Sequence, residues 1–224
     1  SADFETQPIY RIQVEASDGD GGRQIKNLEF SVNDLAESIG GTIVDGYVAG
    51  ATVFQDLNND GVQDADEPFT TTTSTGEFTL DGVIASPYAP IKMISGFDIG
   101  TNEAIVTTLG VPTTGSGIVV ASPLGTVASV ALANNPQTEL NTVLDRVATY
   151  FDVTAQSQSA IDMLNDDPLE LLHSSDSAQA DAARDFFEAN QYAMSLAHTA
   201  EAFATYTAEL LDQIIQTALS DSGI

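Results

Sequence analysis

The chain has 224 residues, 42% of them hydrophobic, which is enough apolar material for one large or two small domains with a real core. Its net charge is −27, from 33 acidic residues against six Lys and Arg, and this excess argues against nucleic acid and against an anionic membrane surface as partners. The sequence has no cysteine, which excludes a disulfide framework and a thiolate site, and it has no apolar run of about 18 residues that could insert into a membrane.

Residues 1–38 contain two stretches with the alternation typical of β-strands, joined by a turn rich in Asp and Gly. The apolar positions of these stretches are Tyr10, Ile12, Val14 and Ala16, followed by Leu28, Phe30 and Val32. Two strands and a hairpin cannot form a core alone. We therefore expect residues 1–38 to be the terminal strands and linker of a larger β-domain.

The strings IYRIQVEASDGDGG and FSVNDLAE resemble the last two strands and the exit linker of a bacterial cadherin-like repeat. In that family the linker acids bind calcium between consecutive domains, so the resemblance implies Asp34 and Glu37 as calcium ligands. It gives weaker support to Asp18 and Asp20 in the turn. Solvated turn and linker acids explain the same residues, and the sequence leaves both interpretations open for Asp34 and Glu37.

Residues 56–67, DLNNDGVQDADE, match the calcium loop of the EF-hand at each demanding position. That loop requires side-chain oxygens at positions 1, 3, 5, 9 and 12, a backbone carbonyl at position 7 and a glycine at position 6. The residues in these places are Asp56, Asn58, Asp60, Asp64 and Glu67, with Val62 for the carbonyl and Gly61 for the turn. Calcium takes about six to eight oxygens, so we predict a site for Ca²⁺ here. The alternative is a polar turn that binds nothing.

The flanks of this calcium loop favour strands over helices. The preceding GTIVDGYVAGATVF is β-branched and broken by glycines, and Pro68 and a run of threonines follow. Short strands are predicted around residues 42–54, 76–84, 90–95 and 103–109. Residues 39–120 are therefore predicted to form a calcium-binding β-sandwich-like region, in which the loop fixes local structure and opens no sensor groove.

From Ser122 onward the composition changes to Ala, Leu, Gln and Asp with helical spacing. A capping residue followed by proline predicts helix starts at Ser122–Pro123, Asn135–Pro136 and Asp167–Pro168. The last helix is predicted from near Asp176 to about Ser220. Its predicted apolar side comprises Phe187, Met194, Ala197, Phe203, Leu210, Ile214 and Ala218. The predicted fold class is α+β, with domains at 1–38 and 39–224, the second β-rich over 39–120 and helical over 121–224.

The sequence contains no recognisable catalytic motif. His173 and His198 are the only histidines and fit no zinc motif. No G-x-S-x-G occurs, and Ser116 in a GSG turn lacks the strand-to-helix elbow of a nucleophile. Paired carboxylates such as Asp166 and Asp167 carry no information in so acidic a chain. We therefore predict that the chain is not an enzyme.

A ligand pocket is predicted from a loop after an apolar strand together with the start of the first helix. The predicted contact residues are Ser95, Gly96, Asp98 and Thr101 in the loop, and Ser122, Gly125 and Thr126 at the helix start. Unpaired N–H groups at a helix start favour a carboxylate. Asp98 would repel an anion unless a cation lay between them, so an acidic ligand would require calcium. The alternative is an ordinary connection capped by its own serine.

Over residues 39–224, the order of a calcium loop, SGFDIGT, ASPLGTVAS and several helices resembles a module of large calcium-dependent RTX adhesins of Gram-negative bacteria. Some such modules hold the C-terminal end of a partner's surface protein and need calcium. The resemblance implies a non-catalytic, secreted or cell-surface module that binds a peptide or protein C-terminus on a host or partner cell.

Two further expectations concern the whole chain. It begins at Ser1 without an initiator Met, so we expect a piece of a longer polypeptide whose neighbouring domains are additional partners. The alternative function is a calcium-stiffened structural spacer of a long adhesin. The long helical region and the lack of an internal repeat in the sequence favour binding over a spacer.

Overall fold

A computed structural model describes residues 9–31, 37–44, 46–105, 107–113 and 117–195 of the chain. The chain divides into two compact units, Ser1–Ala36 and Glu37–Ile224. Strands come first and helices follow, so the structure confirms the predicted α+β class.

The first unit contains the predicted hairpin, formed by β1 (Ile9–Ser17) and β2 (Arg23–Ser31), which pair antiparallel along their whole length. Asp18 holds the turn, because its Oδ1 accepts hydrogen bonds from the N–H groups of Asp20 and Gly22, each at 2.9 Å. Apolar side chains remain exposed, with Ile12 at 47% and Phe30 at 52%. The described hairpin therefore buries no core of its own, as expected for a two-stranded sheet.

The second unit begins with short strands. They are β3 (Glu37–Ile43), β4 (Val48–Ala49), β5 (Thr52–Gln55), β6 (Phe69–Thr71), β7 (Glu77–Val83), β8 (Ile91–Ile94), β9 (Phe97–Asp98), β10 (Leu109–Val111) and β11 (Gly117–Ala121). One sheet has the order β10-β8-β5-β6, a second has the order β11-β3-β7, and β4 pairs with β9. Strands β3 and β11 run parallel, whereas the other described pairs run antiparallel.

The strands predicted over 76–84 and 90–95 are present as β7 and β8. The strand predicted over 42–54 is instead three strands, because the chain turns at Gly46 and Gly50, where φ is 77° and 67°. These small sheets do not establish the β-sandwich, which stays a prediction.

The strand predicted over 103–109 is wrong. Ala104 makes an isolated bridge to Phe97, and β10 begins only at the last residue of the predicted range. The segment turns back on β9, since Asp98 N donates to Glu103 O at 2.9 Å and Ile105 N donates to Gly96 O at 3.0 Å. These local bonds replace the pairing that an extended strand would need.

The helices described are α1 (Pro123–Asn134), α2 (Leu140–Tyr150), α3 (Ala155–Ala160), α4 (Pro168–Leu171) and α5 (Ser177–Ser195). Two of the predicted starts are confirmed. Ser122 caps α1 by accepting a hydrogen bond from Gly125 N, and Asp167 caps α4 by accepting from Leu169 N and Glu170 N. In both cases proline occupies the first turn, where its missing N–H costs nothing.

The third predicted start, at Asn135–Pro136, is wrong. Asn135 ends α1, because its backbone N–H reaches the carbonyls of Ala131 and Leu132 and its side-chain amide also donates to Ala131 O. The next helix, α2, begins later, after Glu139. Asn135 therefore serves the free carbonyls of the preceding helix and not the free N–H groups of the next one.

The last helix begins at Ser177, next to the predicted start. Its buried face includes Ala183, Phe186 and Ala193, whereas Phe187 and Met194 of the predicted apolar side are only half-buried. The buried face is thus displaced by one position, because Phe186 packs into the helical core. Residues 196–224, which hold the rest of the predicted helix and His198, lie outside the described residues.

Two clusters of buried side chains form the core of the second unit. One is built from α1, α2 and α5 and includes Leu132 and Phe186, and the other is built from the strands and includes Ile39 and Met93. Leu144 packs against both clusters, so the β-part and the helices share their packing. Among the described helices, none is both long and apolar enough to cross a membrane.

Candidate functional site

The predicted calcium loop leaves β5 at Asp56, a residue whose backbone is firmly held. Asp56 N donates to Pro90 O at 3.0 Å. The preceding Gln55 is fully buried, and its side-chain amide bonds the backbone of Ile84 and Ala89. The loop therefore starts from a rigid base. Its sharp turn lies at Gly61, where φ is 79°, a conformation that glycine adopts without steric cost.

The first and last acids of the loop are buried and hold its backbone. Asp56 is 0% exposed, and its carboxylate accepts hydrogen bonds from Gly61 N at 2.9 Å and from Asp60 N at 3.2 Å. Glu67 is 5% exposed and accepts from Leu57 N at 2.7 Å and Asp64 N at 3.0 Å. Both ends of the loop thus fold inward on carboxylate oxygens.

The middle ligand positions converge on one amide. Asn58 Nδ2 lies 3.1 Å from Asp60 Oδ2 and 3.0 Å from Asp64 Oδ2, so the two acids meet at a single point. Asp60 Oδ1 also accepts a hydrogen bond from Val62 N at 2.8 Å. The residue types at this point are the oxygen donors that calcium prefers, once the amide of Asn58 presents its oxygen instead of its nitrogen.

Within the described residues, no group of three or more acidic or histidine side chains is close enough to hold a metal ion. In the loop, the carboxylates of Asp60 and Asp64 instead accept hydrogen bonds from the side-chain nitrogen of Asn58. The donor set nevertheless fits calcium chemically. Asp56, Asn58, Asp60, Asp64 and Glu67 would supply its side-chain oxygens.

Lys92 is a component of the site that the sequence did not reveal. Its Nζ lies 2.5 Å from Asp56 Oδ2, and the two side chains are 18% and 0% exposed. Lys92 reaches the loop because it stands opposite Phe54 where β8 pairs with β5. It is also the only Lys or Arg between residues 37 and 145 of the sequence. No local motif signals this contact, since the partner lies 36 residues away.

The linker acids are described only in part. Asp34 lies outside the described residues. Glu37 is the first residue of β3, and its Oε2 is buried without a hydrogen-bond partner among the described residues. In the hairpin, Asp18 already accepts two backbone N–H groups, and Asp20 is exposed. A buried carboxylate oxygen normally has a hydrogen-bond or metal partner, so of these acids Glu37 is the strongest candidate for a ligand.

The loop half of the predicted ligand pocket is a self-contained turn. Asp98 Oδ1 accepts hydrogen bonds from Thr101 N at 2.6 Å and from Thr101 Oγ1 at 3.1 Å. Gly96 packs closely on Val48 and Ala51, and Ser95 precedes it with a positive φ of 62°. Ser95 and Gly96 form the corner between β8 and β9, and the carboxylate of Asp98 closes the turn that follows β9.

The helix half of the pocket offers no unpaired N–H group among the described residues. At the start of α1, Leu124 N donates to Asn190 Oδ1 at 3.0 Å, and Gly125 N donates to Ser122 Oγ at 3.1 Å. Thr126 N donates to Ser122 O, while the Thr126 hydroxyl bonds the backbone of β10. The physical basis for binding an anion at this helix start is therefore absent, because these donors are already satisfied.

The two halves also pair with different strands. The segment that carries Asp98 pairs with β4, whereas Ser122 forms a bridge to Gly110 in β10. Of the predicted pocket residues, Thr126 does line a cavity, of about 180 Å³, together with Lys92, Leu109 and Ser129. This cavity lies between the calcium loop and α1, and none of the other predicted pocket residues is among those that line it.

A second cavity, of about 630 Å³, lies over β3 and is acidic. Glu77, Asp166, Asp167 and Glu170 are among its lining residues. Beside it, burial raises the pKa of Tyr47 to about 12, and the hydrogen bond and negative charge of Asp167 add to this effect. His173 is exposed in the turn after α4. The field at this groove is therefore negative.

No protein-family model, no curated protein and no solved structure matches the chain at a significant level.

Proposed function

We propose that this chain is a non-catalytic, calcium-dependent binding module of an extracellular adhesin that holds a peptide or protein terminus. The observation that supports it most is the calcium loop, where Asp60 and Asp64 converge on Asn58 while Asp56 and Glu67 are buried at its ends. Five acids lie within residues 56–67, and such crowding is unfavourable without a counter-cation.

Calcium would supply that charge and tie β5 to the segment that follows the loop. The resemblance to calcium-dependent RTX adhesin modules supports the extracellular setting, where calcium is plentiful enough for a loop of this type. A second support is the cavity between the calcium loop and α1, which would make ligand binding sensitive to the state of the loop.

The calcium part of the proposal is tested with matched variants of the loop. Asp60→Asn removes a ligand charge and is expected to weaken calcium binding at least about tenfold, the smallest effect usual for residues that support a metal site. Asp66→Asn makes the same charge change at an exposed, non-ligand position of the loop and should leave calcium affinity nearly unchanged. Isothermal titration calorimetry measures both. Equal affinities for the two variants would exclude this loop as the calcium site.

The binding part is tested with a peptide array that carries each peptide with a free and with an amidated C-terminus, probed with calcium and with chelator. We expect signal from free termini in calcium alone. Equal signal from both terminal forms would rule out capture of a carboxylate. The Asp60→Asn variant should lose the signal, and Asp66→Asn should keep it.

A calcium-stiffened spacer is the second candidate, and two observations favour it. The start of α1 has its N–H groups satisfied, and Glu37 has a buried carboxylate oxygen that lacks a partner among the described residues at the entry to the second unit. A spacer would bind calcium and give no calcium-dependent signal on the array, which separates it from the binding module.

A further inference from the structure

The cavity of about 180 Å³ between the calcium loop and α1 differs in charge from the other cavities described. Its polar wall includes Lys92, Thr108 and Thr126, and its apolar wall includes Leu109 and Val130. None of the described residues that line it is acidic, although the chain has 33 acids. By contrast, four carboxylates line the large groove over β3.

Lys92 stands between this cavity and the calcium loop. Its ammonium contacts Asp56, and its side chain is 18% exposed, so most of the charge is withdrawn from water and needs a counter-anion. An ammonium has three N–H donors, and Asp56 is the one hydrogen-bond acceptor that the structure describes for it. A second anion could therefore reach Lys92 from the cavity side.

We propose that this cavity binds a small carboxylate through Lys92, and that it does so when Asp56 is committed to calcium; the proposal rests on the function proposed above. While Asp56 is the counter-ion of Lys92, the pair is neutral overall, and the negative charge of Asp56 opposes the attraction of Lys92 for an entering carboxylate. Once Asp56 shares its charge with a dication, Lys92 is repelled by that dication and a carboxylate in the cavity becomes its best partner.

The size of the cavity restricts the ligand to a carboxylate that carries one small residue, such as the last residue of a peptide. The apolar wall, formed by Leu109, Val130 and Ala133, would contact the side chain of that residue. The hydroxyl of Thr108 would face its polar atoms, whereas the hydroxyl of Ser129 already donates to Gly125 O. The carboxylate is thus recognised by an ammonium, and its side chain by packing.

This arrangement couples the two ligands, and coupling of binding free energies is reciprocal. The test measures calcium affinity by calorimetry with N-acetylalanine as the carboxylate probe and N-acetylalaninamide as its uncharged control. We expect N-acetylalanine to raise calcium affinity about fivefold or more, the lower end of usual coupling, and the amide to have no effect. Equal effects of acid and amide would overturn the proposal.

Variants assign the effect to Lys92. Lys92→Met should abolish the increase caused by N-acetylalanine and should itself raise calcium affinity, because a repelling cation is gone. Arg184→Met loses the same charge from an exposed ion pair on α5 and should behave as wild type. If Lys92→Met keeps the full increase, the proposal is wrong.

A second variant keeps the test decisive if Lys92→Met fails to fold. Ala133→Phe fills part of the cavity and keeps the contact between Lys92 and Asp56, so it should reduce the effect of N-acetylalanine. An unreduced effect would overturn the cavity as the site. Failure of the wild-type chain to bind calcium would overturn the function proposed above as well, whereas calcium binding without any effect of N-acetylalanine would overturn only this inference.

Discussion

Asp167 shows how single side chains join the strands of this protein to its helices. Its Oδ2 accepts a hydrogen bond from the hydroxyl of Tyr47 at 2.9 Å, and its Oδ1 caps α4 by accepting from Leu169 N at 2.8 Å. Tyr47 lies between β3 and β4, so one carboxylate connects the β-part to a helix that follows 120 residues later. Burial, together with this carboxylate, raises the pKa of Tyr47 to about 12.

This pKa predicts how Tyr47 contributes to stability. The folded protein keeps the phenol proton above its ordinary pKa of 10.0, so the stability from neutral Tyr47 is fully present below pH 10 and is lost as the pH rises through about 12. Tyr47→Phe should cost about 0.5–1.5 kcal/mol near neutral pH through the lost hydrogen bond. The difference between wild type and variant should shrink above pH 10, as measured by urea unfolding.

The matched control for this prediction is Tyr192→Phe, since Tyr192 is 52% exposed on α5. This variant should follow the wild-type dependence on pH throughout. A difference between wild type and Tyr47→Phe that grows above pH 10 would contradict the assignment of the raised pKa to Tyr47.

Residue spacing was informative where a motif is local. The positions from Asp56 to Glu67 were predicted as one loop, and the structure folds its first and last acids inward together. Lys92 could not be found in the same way, because its contact with Asp56 depends on the pairing of β8 with β5. The sequence likewise does not reveal that the N–H groups at the start of α1 are satisfied, because Asn190, which accepts from Leu124 N, comes from a distant helix.

Strand β3 contains a glycine, Gly41, at a position that has no room for a side chain. It lies between β11 and β7, and its Gly41 faces the carbonyl of Val119 and the ring of Phe78. A Cβ at Gly41 would lie 2.1 Å from that oxygen and 2.8 Å from the ring. A Cβ at Gly40 would meet only the carbonyl of Phe78, at 3.7 Å, which is an ordinary contact.

Adjacent glycines therefore predict opposite results. Gly41→Ala should lower the free energy of unfolding by about 1–3 kcal/mol, the usual cost of forcing atoms into a packed interior. Gly40→Ala should be neutral or raise it by up to about 1 kcal/mol, because alanine restricts the unfolded chain. Urea unfolding of the two variants measures the difference. Equal effects would mean that β3 and β11 do not approach each other as described.

Helix ends show why some elements resist prediction from sequence. Ser122–Pro123 and Asn135–Pro136 look alike in the sequence, yet Ser122 begins a helix and Asn135 ends one. Asparagine has both a donor and an acceptor, so it can satisfy free carbonyls as well as free N–H groups. Which role it takes depends on the helix that precedes it, and a pattern of two residues does not contain that information.

At the scale of the whole second unit, two cores are joined by shared side chains and by the backbone. Leu140, Leu144 and Met163 each pack against both the helical cluster and the strand cluster. In addition, Val120 N in β11 donates to Leu164 O at 2.7 Å. Because these side chains pack against both clusters, the strands and the helices form one compact unit. The change in composition near Ser122 is therefore not a boundary between two units.

We therefore expect the second unit to unfold in one cooperative step. Leu144→Ala should lower its stability by about 2 kcal/mol, the low end for such a truncation because the side chain is half-buried. Hydrogen exchange followed by mass spectrometry should show that Leu144→Ala lowers protection equally in β8 and in α1. The control is Leu57→Ala, which should have little effect because Leu57 belongs to neither core cluster. Loss in α1 alone would make the helices a separate folding unit. If the loss is equal, calcium bound at the proposed site would stabilise the helices as much as the strands, because its binding free energy would add to the free energy of unfolding of the whole unit.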